Sequence, residues 1–375
     1  MREIIDIATF ERSSDFYSDI DLILTVKSFD LAAIRKRYLQ SRKRGSGRAG
    51  SVERRNPGKG GIVGLRIGKG KMKREKVLCR LTEPRGIDLK GGELAIAAEN
   101  KVFCFDREGV LRILSDPWFS YIHTVRFHPE DNNRILISSS GLDMIKEYHI
   151  DTAEPSYEWL AWEHGYALSR DPASGEALWL TRSADQAETW RKEGKVAKLM
   201  ENPLNDHLPT AMRAAFINSV DYAGSADEKL IATFFHAGKV VEIDRKSGTT
   251  NDLLTDLKNP HGGHIFRGEV RASSTGAGEI VRKPEGSKEV ALSFRTLPGK
   301  APGLGELEWI QNSISVDNLI LAIDSNRTAL AVIDLEARKY DMIAYNQNWA
   351  VQDLISGQIN PRQESQLRKL NEPTD

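Results

Sequence analysis

The sequence predicts an all-β fold, a seven-bladed β-propeller, from three observations. Two or three apolar residues, an aspartate and a turn recur at Asp106, Asp151, Asp244 and Asp334, at separations of 45, 93 and 90 residues. About four strand-like runs fall within each period of ~45 residues, which is the spacing of a propeller blade. No helical segments of 10–15 residues alternate with these runs, which argues against βαβ units.

The blades follow one another along the chain. Their predicted inner strands are RGIDL, HTVRF, GYALS, AAFINSV, HIFRG and NSISV, and degenerate repeat copies near 61, 197 and 289 complete a series of seven copies, six steps apart in total. The first blade contains LILTVKSF, GIVGLRI and EKVLCRL but lacks an inner strand, whereas NWAVQDLI near the C-terminus is a strand without a blade. We therefore expect the N- and C-terminal strands to close the ring, because closure removes exposed edges.

The predicted organisation is one propeller domain over residues 1–358 and a polar C-terminal tail over 359–375. Six blades with accessory N-terminal strands is the alternative. A segment over 30–60 interrupts the first blade and is too long for a hairpin loop. Asp30 is a candidate N-cap, and Leu31, Ile34 and Tyr38 have helical spacing, so the insertion is predicted as a helix followed by a Gly-rich loop.

The net charge of zero hides an uneven distribution. Lys+Arg and Asp+Glu are both 53, but residues 35–80 hold 17 Lys/Arg and two acids, which leaves 36 basic and 51 acidic residues elsewhere. A basic segment of +15 thus accompanies an acidic body of −15. The body is not expected to bind nucleic acid, whereas the insertion could dock an acidic protein or another polyanion, cover the channel, or lie against the protein's own acids.

Composition excludes several other classes. No run of ~18 apolar residues occurs, so no membrane span is expected. The acidic N-terminal sequence lacks the apolar core of a signal peptide, and Cys79 and Cys104 are too few for a disulfide framework. The expectation is a cytoplasmic protein.

Four histidines recur at about one per blade. His123, His164, His207 and His261 are separated by 41, 43 and 54 residues, at or just before predicted inner strands. Equivalent positions on successive blades converge on the central channel. Because imidazole binds transition metals and transfers protons, the four are candidate ligands of one divalent metal, iron, zinc or copper, and His123, His207 and His261 are candidate catalytic groups. The alternative is that each makes structural hydrogen bonds.

Other side chains are predicted at the same channel mouth. Arg85 has the phase of His123 and could hold a carboxylate, phosphate or sulfate in a catalytic role. Asn218, Gln311 and Asn312 could orient a polar substrate, and Trp162 could wall the site. These candidates predict a small polar or anionic molecule in the channel.

The sequence pattern of the blade repeats resembles that of the arylsulfotransferase-like and NHL/YVTN-like propeller superfamily. The residues that carry it are SSSGLDMIKEYHIDTAEPSYEWLAWEHG, FINSV, GKVVEIDRKSG, NPHG and NLILAIDSN, within about residues 83 to 350. The resemblance implies channel histidines, one as nucleophile, with an arginine for sulfate, which would fall on His123, His164, His207, His261 and Arg85. The number of these histidines, four, also matches the four-histidine iron site of carotenoid-cleaving propellers.

Two functions follow as hypotheses. The first is an enzyme with transferase or lyase-type acid/base chemistry, with or without a metal. The second is a non-catalytic propeller scaffold whose basic insertion docks an acidic partner or nucleic acid. The histidine spacing favours the first hypothesis, and the charge of the insertion favours the second.

Overall fold

The computed structural model describes residues 2–43, 48, 50–53, 56–204, 206, 208–224 and 228–371. The α-helices of this part are α1 (Leu31–Lys43), α2 (Ala184–Lys192) and α3 (Pro361–Lys369). None of these helices combines the length and the apolar character that crossing a membrane requires. All other regular structure in the described ranges is strand or short 3₁₀ turn.

The strands of the first half are short and follow one another closely. They are β1 (Glu3–Asp6), β2 (Glu11–Arg12), β3 (Ile20–Ser28), β4 (Lys59–Gly68), β5 (Lys71–Thr82), β6 (Pro84–Lys90), β7 (Glu93–Ala98), β8 (Lys101–Phe105), β9 (Leu111–Ser115), β10 (Ile122–Phe127), β11 (Arg134–Ser139), β12 (Met144–His149), β13 (Pro155–Leu160), β14 (Leu168–Arg170) and β15 (Ala177–Thr181).

The second half continues in the same way. Its strands are β16 (Ala197–Leu199), β17 (Ile217–Tyr222), β18 (Lys229–Phe234), β19 (Lys239–Asp244), β20 (Thr250–Leu254), β21 (Pro260–Phe266), β22 (Glu269–Ser274), β23 (Glu279–Pro284), β24 (Val290–Ser293), β25 (Ile310–Val316), β26 (Leu319–Asp324), β27 (Ala329–Asp334), β28 (Lys339–Ala344) and β29 (Ala350–Ser356). The predicted all-β class is confirmed.

The strands of the described residues form seven sheets. Their orders are β6-β7-β8-β9, β10-β11-β12-β13, β14-β15-β16, β17-β18-β19-β20, β21-β22-β23-β24-β1, β25-β26-β27-β28-β2 and β29-β3-β4-β5. The first strands of six sheets contact one another in a closed cycle in the order β6, β10, β17, β21, β25 and β29, and β29 contacts β6. We call these six the inner strands.

The seventh sheet, β14-β15-β16, stands apart from this cycle, since β10 contacts β17 directly. Strand β14 has three residues and packs on the turn at Thr210–Met212, and β16 pairs with β15 in parallel. Sequence reasoning assigned GYALS to an inner strand, but only its last residues belong to β14. The seven-blade count is therefore not confirmed, because this stretch, which includes α2, does not form a four-stranded antiparallel unit.

The two ends of the chain join other sheets. C-terminal β29 pairs antiparallel with β3, with Leu354 opposite Leu24. The N-terminal strands β1 and β2 add parallel outer strands to β24 and β28, which the sequence analysis did not predict. Helix α3 lies within the segment expected to be a polar tail, and its Leu367 is buried in a hydrophobic cluster with Leu81 and Leu94.

The recurring aspartate has a local structural role. Asp106, Asp244 and Asp334 each follow or end the third strand of a sheet, where the Oδ1 atom accepts backbone N–H groups two to four residues ahead. Aspartate stabilises tight turns in this way. Hydrophobic clusters fill the space between neighbouring sheets, so that strands β26 and β27, which lie inside their sheet, are buried at every position.

Candidate functional site

The six inner strands are irregular where they begin. The pairing register of each shifts within its first residues, for example at His123 in β10 and at Gln352 in β29. Such a bulge turns a side chain out of the regular alternation of a strand. The polar side chains at these starts, one from each inner strand, are Arg85, His123, Asn218, His261, Gln311 and Gln352.

Five of these six side chains, all except Asn218, line one cavity of about 870 Å³, measured with its open mouth. Four of the five were predicted as site residues. Gln352 was missed because its strand had been read only as the closing strand. The cavity therefore brings together side chains that are far apart in the sequence. Arg85 and His123 are 38 residues apart, and Arg85 and Gln352 are 267 residues apart.

The basic insertion forms one wall of this cavity. Ile34, Arg37, Tyr38 and Ser41 of α1 line it, together with Gly50 and Ser51. The tilted rings of Tyr38 and Trp309 lie 5.0 Å apart, and Leu31 and Ile34 pack against Trp309 and Ala350. The described part of the insertion therefore lies against the cavity at which the inner strands begin.

The insertion is also fastened on both sides of the cavity. On one side, Arg35 Nη2 donates to the Ser325 carbonyl oxygen at 2.5 Å. On the other side, Arg48 Nη1 donates to the Arg213 carbonyl oxygen at 2.6 Å, and Ala211 N donates to the Ser51 carbonyl oxygen at 3.1 Å. The described parts of the insertion thus contact two places beside the cavity, the β26–β27 turn through Arg35 and the segment before β17 through Arg48 and Ser51.

Arg85 and His123 form a buried pair. Arg85 Nη1 lies 2.9 Å from His123 Nε2, and Arg85 Nη2 donates to Glu83 Oε2 at 3.1 Å. His123 Nδ1 faces the Tyr121 carbonyl oxygen at 2.9 Å, so Nδ1 carries the proton and Nε2 accepts from Arg85. Burial lowers the pKa of His123 well below its usual value, and the positive charge of Arg85 lowers it further.

His261 presents its ring differently. Its Nδ1 lies 3.2 Å from the Asn259 carbonyl oxygen and 2.9 Å from Thr275 Oγ1, which assigns the proton to Nδ1. The Nε2 lone pair is then the remaining acceptor of a ring that lines the cavity. Burial lowers the pKa of His261 to about 3, with a further contribution from the Lys27 charge.

Arg213 is a cavity residue that the sequence analysis missed. It is 1% exposed and lies between the rings of Tyr121 and Phe216, each 4.8 Å from its guanidinium carbon. The buried Asp143 fixes the adjoining backbone, since its carboxylate accepts from Ala214 N at 2.7 Å and Phe216 N at 2.6 Å. No motif marks Arg213, because it precedes its strand in an irregular segment.

The far wall combines amide and aromatic groups. Lys27 Nζ donates to Gln352 Oε1 at 2.9 Å and lies 5.8 Å from the Trp309 ring. Gln311 Oε1 accepts from Trp309 Nε1 at 2.6 Å. Gln311 is 2% exposed, and its Nε2 has no hydrogen-bond partner among the described residues. An unsatisfied buried donor beside a cavity suits a ligand oxygen.

Several predicted site residues lie elsewhere. His164 stacks on Trp159, with ring centroids 5.0 Å apart, and packs on Gly248 in an outer turn. Trp162 is buried between sheets and donates from Nε1 to Asp143 Oδ2 at 3.1 Å. His164 immediately precedes GYALS, the run that was predicted as an inner strand, whereas Trp162 was predicted from the outer run YEWLAW. His207 lies outside the described residues.

Two predicted amides face other partners. Asn218 Nδ2 donates to the Pro260 carbonyl oxygen at 2.7 Å, between inner strands β17 and β21. Asn312 Nδ2 donates to Asp353 Oδ1 at 2.6 Å and lines a second cavity at the other end of the inner strands. The bulge after Ile310 separates Gln311 from Asn312 in this way, which sequence spacing alone does not show.

The predicted metal site does not assemble from the part of the chain that is described. His123 and His261 line the cavity, whereas His164 does not, and the His123 Nε2 lone pair faces Arg85. Within the described ranges, no group of three or more His, Cys, Asp or Glu side chains is placed to hold a metal ion. The cationic lining also opposes a metal ion, so the residues present do not fit one.

Comparison with known proteins bears on the fold. No protein-family model matches the chain, and no curated protein sequence matches it significantly. A protein of unknown function from Bacteroides caccae aligns over 90% of this chain and 99% of its own, with 12% identity and a TM-score of 0.52. A chain of a nidogen/laminin complex aligns over 90% and 99%, with 10% identity and a TM-score of 0.51.

Virginiamycin B lyase from Staphylococcus aureus is also similar, over 70% of this chain and 69% of its own, with 9% identity and a TM-score of 0.42. At these identities the likeness concerns the fold alone. The two similar structures with TM-scores of 0.51 and 0.52 support a β-propeller fold. The arylsulfotransferase-like part of the expected resemblance gains no support from them.

Proposed function

We propose that the chain forms a six-bladed propeller that binds a small organic anion under its basic insertion. The closed cycle of six inner strands supports the blade number, and the β29–β3 pairing supports closure by the chain ends. The sheet β14-β15-β16 is then an insertion between the second and third blades. Its position accounts for the 95-residue distance between the starts of β10 and β17, which is about two blade periods.

The charge of the cavity carries the functional proposal. Lys27, Arg37, Arg85 and Arg213 line it, and no carboxylate is among its described lining residues. Their positive field, in a partly desolvated space, favours an anion. Arginine also binds carboxylate, phosphate or sulfate through paired N–H donors.

The remaining surface selects an anion with an apolar, preferably aromatic, part. Phe216 and Phe235 lie 4.6 Å apart on one side, and Tyr38 and Trp309 form a second ring pair under α1. Gln311 Nε2 supplies a neutral donor for a ligand oxygen. The space of about 870 Å³ accommodates a small molecule rather than a folded partner.

His261 is the residue we propose for proton transfer. Its Nε2 lone pair belongs to a neutral ring, and a bound anion would raise its pKa by offsetting the positive charges of Lys27 and Arg85. His261 Nε2 would take a proton from a carbon of the bound anion, the C–H electron pair would form a C=C bond, and a leaving group on the adjacent carbon would depart with the electron pair of its own bond. Such a β-elimination agrees with the lyase-type acid/base chemistry predicted from the sequence. Chemistry of this kind needs no metal at the site.

Calorimetry with phenyl phosphate and inorganic phosphate tests the binding proposal. Phenyl phosphate should bind at least tenfold more tightly because of the aromatic walls, and Arg37→Gln should weaken it by tenfold or more, about 1.4 kcal/mol. The matched control is Arg74→Gln on the exposed strand β5, which should leave binding unchanged. Equal losses in both variants would show a nonspecific charge effect and reject the site.

The scaffold hypothesis placed docking on the basic insertion over 30–60, and the outer strand β5 is a second basic surface to which it can be extended. Its exposed cations are Lys71, Lys73, Arg74, Lys76 and Arg80. Three of them pair with the protein's own acids, Asp19, Asp21 and Glu364. Heparin affinity at graded salt tests this alternative: loss of retention on Lys71→Glu/Arg80→Glu, with phenyl phosphate binding intact, would support polyanion docking at β5.

A further inference from the structure

A second cavity, of about 890 Å³ with its open mouth, lies at the opposite end of the inner strands. Every inner strand contributes to it. The side chains are Asp88, Arg126, Asp221, His264, Ile314 and Ile355, each three residues beyond the polar side chain that begins its strand. The same repetition that builds the first site therefore builds a second ring of side chains.

The polar half of this ring has more negative than positive charge. Arg126 Nη1 donates to the Ile87 and Val125 carbonyl oxygens, both at 2.9 Å, and lies 3.9 Å from Asp353 Oδ2. Asp353 thus partly neutralises the one arginine. Asp88 and Asp221 remain as carboxylates on the strands that flank β10.

Among the described residues, these two carboxylates accept hydrogen bonds only from backbone amides, and the Arg126 charge acts on both. Asp88 accepts from Leu89 N at 3.0 Å and Phe127 N at 2.8 Å, and Asp221 accepts from Tyr222 N at 2.8 Å. Burial raises the pKa of Asp221, Arg126 opposes this rise, and the nearby Asp88 charge adds to it. The resulting pKa is about 6. Both groups would gain from a positive charge in the cavity.

Neutral acceptors lie beside them. His264 Nδ1 faces the Gly262 carbonyl oxygen at 2.8 Å, so the proton is on Nδ1 and Nε2 is an acceptor. Ser313 lines the cavity and is 2% exposed, and its Oγ has no hydrogen-bond partner in the described part of the chain. This unsatisfied buried hydroxyl is independent of the acids and also indicates a ligand.

We propose that this second cavity binds a small organic ammonium ion, with its N–H groups toward Asp88, Asp221, His264 and Ser313. A primary ammonium group has three N–H donors, which these four groups can accept between them. Ile314, Ile355 and Phe266 offer an apolar surface to the hydrocarbon part. A metal ion fits less well, because the described residues hold no group of three or more suitable ligands.

Calorimetry with n-butylammonium chloride tests this site. Asp88→Asn and Asp221→Asn should each weaken binding by tenfold or more, whereas Asp252→Asn on the exposed edge strand β20 should not. Ile314→Trp fills the apolar half without removing a charge and should also abolish binding. Undiminished affinity in all three cavity variants would overturn the proposal.

Two further probes separate the ligand classes. Tetramethylammonium carries the charge without N–H donors and should bind at least tenfold more weakly, so equal affinity would overturn the hydrogen-bonding assignment. Tighter binding of Mg²⁺ than of n-butylammonium would overturn the choice of an organic cation. The circular dichroism spectrum shows whether each variant is folded. Phenyl phosphate binding at the first cavity is a second check of folding if that site is functional. The ammonium test therefore stands whether or not the first cavity binds an anion.

Discussion

Arg85 and His123 are joined by a buried contact of 2.9 Å between Nη1 and Nε2, in which the histidine accepts. Because Nδ1 is used by the Tyr121 carbonyl oxygen, both ring nitrogens are engaged within the protein. His123 is therefore unsuited to act as a base or to ligate a metal without first releasing Arg85. We interpret it as a positioning residue that holds the guanidinium toward the cavity.

His123→Ala should weaken phenyl phosphate binding by about tenfold through a misplaced Arg85, whereas His123→Gln, which retains an acceptor, should lose about threefold or less. Since His123 stays neutral, the dependence of affinity on pH between 5 and 9 should be the same in wild type and His123→Ala. A changed pH profile would instead show that His123 titrates and participates directly.

The parts of this site that depend on repetition could be predicted from sequence. Blade spacing placed Arg85, His123, His261 and Gln311 at equivalent points, and the predicted inner strands RGIDL and HTVRF match β6 and β10 to within one residue at each end. The recurring aspartate was informative because three of its four copies, Asp106, Asp244 and Asp334, form the same local turn. Such patterns depend on residues that are close in the sequence, so they can be recognised without knowledge of the tertiary structure.

The errors arose where the repeat is interrupted. The segment from β14 to β16 has strand-like composition and the right length, yet tertiary packing places it outside the ring, and His164, which lies just before it, stacks on Trp159 away from the cavity. Trp162, on the preceding 3₁₀ turn, is buried against Asp143. Bulges turned Asn312 toward the other cavity. Arg213 could not be predicted, because its place depends on Asp143, which lies 70 residues earlier in the sequence.

His261 and His164 offer a comparison of two histidines predicted to share one role. In ¹⁵N histidine spectra, His261 should remain the neutral Nδ1–H form from pH 8 to pH 4, because burial and Lys27 lower its pKa to about 3. Saturation with phenyl phosphate should move its signals and raise this pKa, while His164, stacked on Trp159, should not respond. Assignment uses His261→Ala and His164→Ala, and titration of His261 near 6.5 in the free protein would contradict the described environment.

Arg48→Ala should loosen the insertion over the first cavity. Arg48 donates to the Arg213 carbonyl oxygen at 2.6 Å, so its loss removes a contact between the insertion and the segment before β17. We expect the association and dissociation rates of phenyl phosphate to rise together, by about threefold or more, with a smaller change in affinity. Stopped-flow tryptophan fluorescence measures both rates, and Arg191→Ala on α2 is the control. Unchanged rates would show that the insertion does not limit access.

Asp221→Asn should stabilise the free protein at neutral pH. The folded-state pKa of Asp221 is raised to about 6 by burial, against about 3.9 in an unfolded chain, so the folded protein binds this proton more tightly. Ionisation therefore costs stability fully above pH 6 and not below pH 4. The amide removes that cost, and the gain in unfolding free energy should be about 1–3 kcal/mol at pH 8 and near zero at pH 4.

Urea denaturation of wild type and Asp221→Asn at pH 4, 6 and 8 measures this difference, with Asp252→Asn as the exposed control. Histidines with lowered pKa, namely His123, His164, His236, His261 and His264, cause both proteins to lose stability below about pH 6.5, because their unfolded forms bind protons that the folded forms do not. That loss cancels in the comparison. A gain of the same size at pH 4 and pH 8 would show that the variant acts through packing rather than through the Asp221 charge.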